Sequence, residues 1–205
     1  MWALVENNLV TQVYTRPKDL EIESGNYSRS IFTTYTIEGL QAIGIYEVVL
    51  DNSNFKNKEY YINTNQTFEF ADGVVTASFG TATAKAIADT LYTAQDETDG
   101  FGTEGEVASR GLKYNHKETI NQQAGGLLQE TDWMVIRAAE GGTAVPSEIT
   151  TWRAAVRTKA NAMQVQIDGA ADVDALAALY TYTNTGTEES PVMERPLGEF
   201  PVLGA

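Results

Sequence analysis

The chain has 205 residues, no cysteine, one histidine and a formal net charge of −14 at pH 7. The missing cysteines exclude disulfide bridges, thiol nucleophiles and cysteine zinc sites, and the few basic residues disfavour binding to a phosphate backbone. A hydrophobic share of 42% is sufficient for a globular core without disulfides or a metal.

The amino-terminal residues 1–6 lack both the basic region and the long apolar core of a secretory signal peptide. No stretch reaches the roughly 18 apolar residues that a membrane-spanning helix requires. We therefore expect a protein made in the cytoplasm, with no membrane among its partners.

Short apolar, β-branched runs separated by turn residues fill residues 1–80. Asn7-Asn8 and Asp72-Gly73 both tolerate positive φ and indicate tight hairpins. Residues 36–42 favour a short helix with Thr36 as its N-cap. The runs predicted to be strands are 2–5, 9–14, 43–50, 59–62, 67–70 and 74–79. Together they predict a small antiparallel β domain, which the pattern leaves open as a sandwich, a barrel or an open sheet.

Residues 81–105 are predicted to connect this domain to the rest of the chain. The alanine-rich run 82–95 carries Ile87, Leu91 and Tyr92 at near-helical spacing and indicates a helix. The run 96–105 that follows is acidic and glycine-rich, which is typical of a linker.

Residues 106–182 are predicted to be helical. A first helix, 106–129, is mostly polar, so it requires a neighbour or a partner to bury its apolar residues. Gly125-Gly126 weakens it and indicates a bend or a close crossing. Gly141 to Thr143 is predicted to be a turn between helices.

A second helix, 147–167, has the strongest pattern, with Ser147 as its cap and Gly169 as its stop. Its apolar residues recur every three or four positions: Ile149, Trp152, Val156, Ala160, Met163 and Ile167. A third helix, 172–180, begins at Asp172 as N-cap. The whole chain is therefore predicted to be α+β, with a β domain before a helical region.

The tail, residues 183–205, contains three of the five prolines of the chain. Its composition predicts an extended, loop-like segment. We expect a neighbouring protein to hold it in place.

No residue pattern indicates an enzyme, a cofactor or a metal site. His116 lies in a polar helix without an orienting carboxylate nearby, so we expect a solvated surface residue rather than a catalytic base. The spacing of Asp168, Asp172 and Asp174 does not match a calcium loop, and helix capping explains the first two. Paired carboxylates for glycan cleavage remain an alternative, because such pairs meet only in the fold.

An ordered set of residues resembles the phage tail assembly chaperone-like and tail-fibre assembly family. The set consists of Leu127-Leu128, Thr131-Asp132-Trp133, a loop ending at Pro146, Trp152-Arg153, and Arg157 four residues later. The opening residues 1–8, together with residues 44–48, are similar to the β-structured start of related phage proteins, and the closing run 195–201 is similar to the end of marine phage virion structural proteins. The resemblance covers roughly two thirds of the chain.

The resemblance implies a non-enzymatic structural component of a bacteriophage tail, such as a fibre, adaptor or baseplate protein, located in the virion. A tail-fibre assembly chaperone that leaves the particle is the alternative. The implied partners are other phage tail proteins, in a homo- or hetero-oligomer. The candidate partner-binding residues are Trp133, Trp152, Arg153, Arg157, Arg195 and Phe200. From the residues themselves we also expect Trp133 to bury against Trp152 and Leu128.

Overall fold

The computed structural model describes residues 1–204, which form two compact units. The first unit is Met1–Thr83, and the second begins at Ala84. The strands are β1 (Trp2–Glu6), β2 (Leu9–Tyr14), β3 (Leu20–Ile22), β4 (Gly25–Tyr27), β5 (Ile45–Asp51), β6 (Tyr61–Ile62), β7 (Gln66–Ala71), β8 (Val74–Phe79), β9 (Thr83–Ala84), β10 (Thr90–Leu91), β11 (Val107–Ser109), β12 (Thr183–Asn184) and β13 (Met193–Glu194). The helices are α1 (Ile31–Thr34), α2 (Ile37–Gln41), α3 (Ala94–Thr98), α4 (Leu112–Ala139), α5 (Ser147–Gly169) and α6 (Val173–Ala178).

The first unit is built on a curled five-stranded sheet in the order β2-β1-β5-β8-β7. The chain is thus a mixed α+β protein, as predicted. One pair corrects the expectation of a purely antiparallel domain, because β5 and β8 run parallel. The last hairpin makes β7 and β8 antiparallel to each other, so only one of them can run in the direction of β5. That strand is β8, and it is the one that lies beside β5.

Both faces of the sheet are covered by apolar side chains. Successive residues of a strand point to opposite faces, so Ala3 and Leu4 in β1 enter different clusters. Leu4 packs with Ile45 and with Phe32 of α1, on the face covered by the short helices. Ala3 packs with Val75 on the opposite face. Burial on both faces fixes the register of β1, since a slip by one residue would exchange the two sets.

The predicted turns of this unit are confirmed. Asn7 and Asn8 have φ of 52° and 62°, and Asp72 and Gly73 have φ of 51° and 78°, as type I′ hairpin turns require. The Thr36 side chain accepts a hydrogen bond from the Gly39 amide and caps α2. The β3–β4 hairpin and helix α1 were not predicted from the sequence.

Residues 84–111 differ from the prediction of a helix followed by a linker. The helix predicted over 82–95 is replaced by β9 and β10, and β10 pairs with β11. The Asp89 carboxylate accepts from the Gly111 amide at 2.8 Å and pairs with Arg110 at 2.7 Å. The Leu112 and Lys113 amides at the start of α4 donate to the Ala86 and Ile87 carbonyls at 3.0 Å, so this segment satisfies amides that a helix leaves without partners. Helix α3 overlaps the start of the expected linker, and Thr93 and Asp96 form a capping box at its N-terminus.

Helices α4 and α5 form an antiparallel hairpin. Helix α4 starts later and ends later than the predicted 106–129, and it runs without interruption through Gly125-Gly126. It ends in a Schellman motif, in which Gly141 has φ of 84° and the Gly142 amide donates to the Arg137 carbonyl at 2.9 Å. This motif is the turn predicted at Gly141 to Thr143.

The apolar stripe predicted in α5 is confirmed, since all six residues are buried. Pro146, rather than Ser147, occupies the N-cap position, and the helix includes Gly169. Asp172 caps α6 as predicted, accepting from the Ala175 amide at 2.8 Å. None of the helices in residues 1–204 combines the length and the apolar character needed to cross a bilayer.

Candidate protein-binding surface

Arg153 joins the two long helices through a set of three hydrogen bonds. Its guanidinium donates to the Leu128 carbonyl at 2.7 Å, to Thr131 Oγ1 at 2.6 Å and to Asp132 Oδ1 at 2.7 Å. Only 12% of the Arg153 side chain is exposed, against 50% for Asp132. A planar guanidinium suits this arrangement because its donors have a fixed geometry. The leucine, threonine and aspartate of the phage-like pattern therefore share a structural partner.

The other ends of the helices are joined by lysines of α4. Lys113 donates to the main-chain carbonyl of Asp168, and Lys117 pairs with the Asp168 carboxylate at 2.8 Å. Positive charge at the carboxyl end of α5 also complements the helix dipole. Polar contacts therefore join the two helices at both ends of the hairpin.

Trp133 lies on the outside of this hairpin, which corrects the expected burial against Trp152 and Leu128. The indole is 54% exposed, whereas Trp152 is 8% exposed. A helix turns about 100° per residue, and Thr131 is the buried residue that faces α5. Trp133, two positions later, must therefore point to the other side.

Ile136 lies on the same face of α4 as Trp133, because residues three positions apart are neighbours on a helix. Ile136 is 58% exposed, and we call Trp133 and Ile136 the α4 patch. Arg137 lies one turn beyond Trp133, with its guanidinium carbon 4.8 Å from the centre of the ring. Tryptophan and arginine together at an apolar surface are the residue types that dominate protein interfaces.

A second surface is formed where the C-terminal residues lie along α5. Trp152 Nε1 donates to the Pro201 carbonyl at 2.9 Å, Lys159 Nζ to the Leu197 carbonyl at 2.8 Å, and Gln166 Nε2 to the Pro196 carbonyl at 3.2 Å. The three donors are spaced by seven residues, which places them along one stripe of the helix. We call these three residues the α5 seat and residues 195–204 the terminal segment.

The terminal segment is anchored further by one buried side chain and a polar cluster. Leu197 is fully buried, and its amide donates to the Leu179 carbonyl at 3.0 Å. Arg195 Nε lies 2.7 Å from Glu199, which also accepts from the Tyr182 hydroxyl at 2.5 Å. Burial acts to raise the pKa of Glu199, but the hydrogen bonds from Tyr182 and Arg195 outweigh it and lower that pKa below its usual value.

The six candidate partner-binding residues thus fall into different environments. Trp152, Arg153 and Arg195 make contacts inside the second unit. Trp133 and Arg157 are exposed, and Phe200 is half-buried. We expected a neighbouring protein to hold the tail in place. For residues 195–201, helix α5 of the same chain makes the contacts that hold it.

His116 is buried rather than solvated, which corrects the sequence-based interpretation. Its ring lies 4.8 Å from that of Tyr180 and is 7% exposed. His116, Ile120 and Ala124 share the face of α4 that is buried, and this places the imidazole in the core. Asp168 pairs with Lys117 and Asp172 caps a helix. Among residues 1–204, no group of three or more histidine or acidic side chains is arranged to hold a metal.

Sequence reasoning missed Lys159, Gln166 and Ile136. Lys159 and Gln166 follow Trp152 at steps of seven residues, so side-chain donors recur along one side of α5, and this spacing is a signal in the sequence. The exposure of Ile136 has no such local signal, because it depends on how α5 packs against α4.

Comparison of the chain with protein-family models, with curated proteins and with solved structures gives no match in any of the three.

Proposed function

We propose that the protein is a non-enzymatic structural component of a bacteriophage tail, acting through contacts with other tail proteins. The observation that carries the proposal is the α4 patch, a pair of exposed apolar residues on one face of a long helix. Burial of Trp133 and Ile136 against a partner would remove apolar surface from water, which is the main driving force of protein association.

The position of the patch supports this role. Arg153 fixes the inner side of α4 at Leu128 and Thr131, five and two residues before Trp133. The surface offered to a partner is therefore already ordered, and little conformational entropy is lost on binding.

The acidity of the chain favours a protein partner over a nucleic acid. With 28 acidic and 14 basic residues, the overall field repels a phosphate backbone and steers basic protein surfaces toward the molecule. This agrees with the phage resemblance, in which the implied partners are tail proteins.

An assembly chaperone for the tail fibre is the second candidate, and the Thr131-Asp132-Trp133 pattern favours it. That pattern resembles short assembly proteins, in which no long β domain precedes it. The first unit, Met1–Thr83, has no counterpart in those short assembly proteins. Its presence supports the structural role, in which the protein is retained in the particle. Both candidates use the α4 patch and differ in how long the partner stays bound.

Quantitative mass spectrometry of purified particles and of the infected-cell lysate distinguishes these roles. A structural component will be present in particles at a fixed copy number relative to the major tail protein. A chaperone will co-purify with a fibre protein from the lysate and be absent from particles. Absence from both fractions contradicts both candidates.

A further inference from the structure

Arg137 differs from the other half-buried arginines of the second unit in having no acceptor for its guanidinium. Arg153 donates to three oxygen atoms of α4, and Arg195 pairs with Glu199. Within residues 1–204, the Arg137 guanidinium makes no hydrogen bond or ion pair, and its Nε is shielded from solvent. A shielded donor without an acceptor has lost its hydration and gained no hydrogen bond in return. The chain itself therefore leaves Arg137 unsatisfied.

The Arg137 side chain is nevertheless held in place beside the α4 patch. Its guanidinium carbon lies 4.8 Å from the centre of the Trp133 ring, within the range of a cation–π contact. A Cβ added at Gly142 would lie 2.8 Å from Arg137 Cγ, so the turn that ends α4 packs directly against the stem of this side chain. Trp133 and Gly142 thus position the guanidinium before any partner binds, which lowers the entropic cost of binding.

Neither the helix end nor the neighbouring carboxylates account for this arrangement. A positive charge in the last turn of α4 is favourable because of the helix dipole, but a solvated side chain gives the same benefit without shielding its Nε. Asp132 is already bound to Arg153, and the exposed Glu140 makes no ion pair with Arg137. The acceptor that the guanidinium lacks is therefore not supplied by these residues.

We propose that the α4 patch binds a partner segment in which an acidic residue lies beside an apolar one. The partner's carboxylate accepts hydrogen bonds from the Arg137 guanidinium, while its apolar side chain covers Trp133 and Ile136. A carboxylate fits this position because a guanidinium presents its donors as a planar fork, and such charge-assisted hydrogen bonds are short and strong. This inference rests on the proposed function, since it names the chemistry of the partner at the same surface.

The overall charge of the chain makes an acidic contact at this position selective. With a net charge of −14, most of the surface repels a carboxylate, whereas Arg137 attracts one. A wrongly placed partner segment would bring its carboxylate against acidic residues, so the contact fixes the register of binding. The contact acts at short range, while the net charge of the whole partner governs its approach.

Two matched peptides test the inference on the wild-type protein. The probes are acetyl-Leu-Asp-Leu-amide and acetyl-Leu-Asn-Leu-amide, which differ in the charge of one side chain. They are added at equal millimolar concentrations to the ¹⁵N-labelled full-length chain, and the side-chain N–H signals of Arg137 and Trp133 are followed by NMR. The aspartate peptide should shift both signals several-fold more than the asparagine peptide does. The exposed Arg157 is the internal control for unspecific charge contacts and should respond far less.

Equal shifts from the two peptides, or none from either, would overturn the inference. So would a response of Arg157 as large as that of Arg137. These outcomes concern the purified protein alone, so they do not depend on whether the chain belongs to a phage particle.

The amount of Arg137→Gln found in phage particles separates this inference from the proposed function. Arg157→Gln is the matched control and should enter particles at the wild-type level, whereas Arg137→Gln, folded by circular dichroism, should be depleted several-fold. Normal incorporation of the double variant Trp133→Ser/Ile136→Ser would contradict the proposed function itself. Depletion of that double variant together with normal incorporation of Arg137→Gln would refute the carboxylate contact alone.

Discussion

The indole Nε1 of Trp152 donates a 2.9 Å hydrogen bond to the carbonyl oxygen of Pro201 across a sequence separation of 49 residues. The indole ring is at the same time part of the buried stripe of α5. One side chain therefore joins the core of the helical hairpin to the last residues of the chain. This explains why the C-terminal residues have defined positions despite a composition typical of a loop.

Replacing Trp152 by Phe will loosen the terminal segment while keeping most of the core packing. Loss of a hydrogen bond of this kind costs about 1 kcal/mol, which is roughly a fivefold increase in the open population. Hydrogen–deuterium exchange of the Leu197 and Gly198 amides is the measurement. Exchange in β1 and β5 of the first unit serves as the control and should not change; unchanged exchange at Leu197 would show that the hydrogen bond contributes nothing.

Arg153 and Arg157 allow a matched comparison one helical turn apart. Arg153→Met removes three hydrogen bonds from a largely buried guanidinium, so we expect a loss of about 1.5–3 kcal/mol in the free energy of unfolding of the helical unit. Arg157 is exposed, and Arg157→Met should change that free energy by less than about 0.5 kcal/mol.

Thermal or urea unfolding followed through α-helical circular dichroism measures both variants. Arg153→Lys is an informative third variant, because an ammonium keeps the charge but lacks the planar set of donors. It should recover only part of the loss. Equal destabilisation by Arg153→Met and Arg157→Met would contradict the assignment of Arg153 as the link between the helices.

The sequence predicted those features that depend on local chemistry. Asn7-Asn8 and Asp72-Gly73 specified their turns because few residues accept positive φ. The stripe from Ile149 to Ile167 specified the buried face of α5, since helical periodicity leaves one arrangement. The parallel pairing of β5 with β8 was not predictable, because either strand of the last hairpin satisfies the same alternation of apolar residues.

Long-range polar contacts explain the remaining differences. The run 82–95 has the composition of a helix, but Asp89 is drawn to Arg110 and to the Gly111 amide at the start of α4. Trp133 has the character of a core residue, but Thr131 already occupies the position facing α5. In both cases a contact with a residue more than 20 positions away determines the local structure. A local sequence pattern does not predict such a contact.

Acidification should release the terminal segment through Glu199. The pKa of Glu199 is below its ordinary value of 4.5, so the folded state favours the charged carboxylate. Its contribution to stability is complete above pH 4.5 and is lost as the pH falls through the lowered pKa. Amide exchange of residues 195–201, measured from pH 6 downward and corrected for intrinsic rates, will show the release.

Glu199→Gln separates this effect from the titration of other carboxylates. The amide keeps the size of the side chain and removes its charge, so the variant should show looser binding of the segment at pH 6 and less change on acidification. A pH profile identical to that of the wild type would exclude Glu199 as the titrating group.

Substitutions in the α4 patch should affect binding without affecting folding. Trp133 and Ile136 are more than half exposed, so Trp133→Ser and Ile136→Ser should each change the free energy of unfolding by no more than about 1 kcal/mol, part of which for Trp133 is its contact with Arg137. Loss of a tryptophan at the centre of an interface costs about 2 kcal/mol or more in binding free energy. A large loss of stability in either variant would show that the patch serves the fold instead.

The amount of the double variant Trp133→Ser/Ile136→Ser that enters purified phage particles tests the central claim most directly. Val165→Ser is the control, because Val165 is 71% exposed on α5 and lies outside the α4 patch. We predict that the control is present in particles at the wild-type copy number and that the double variant, equally soluble and folded, is strongly depleted. Equal incorporation of the double variant and the wild type would contradict the assignment of this surface as the site of partner binding.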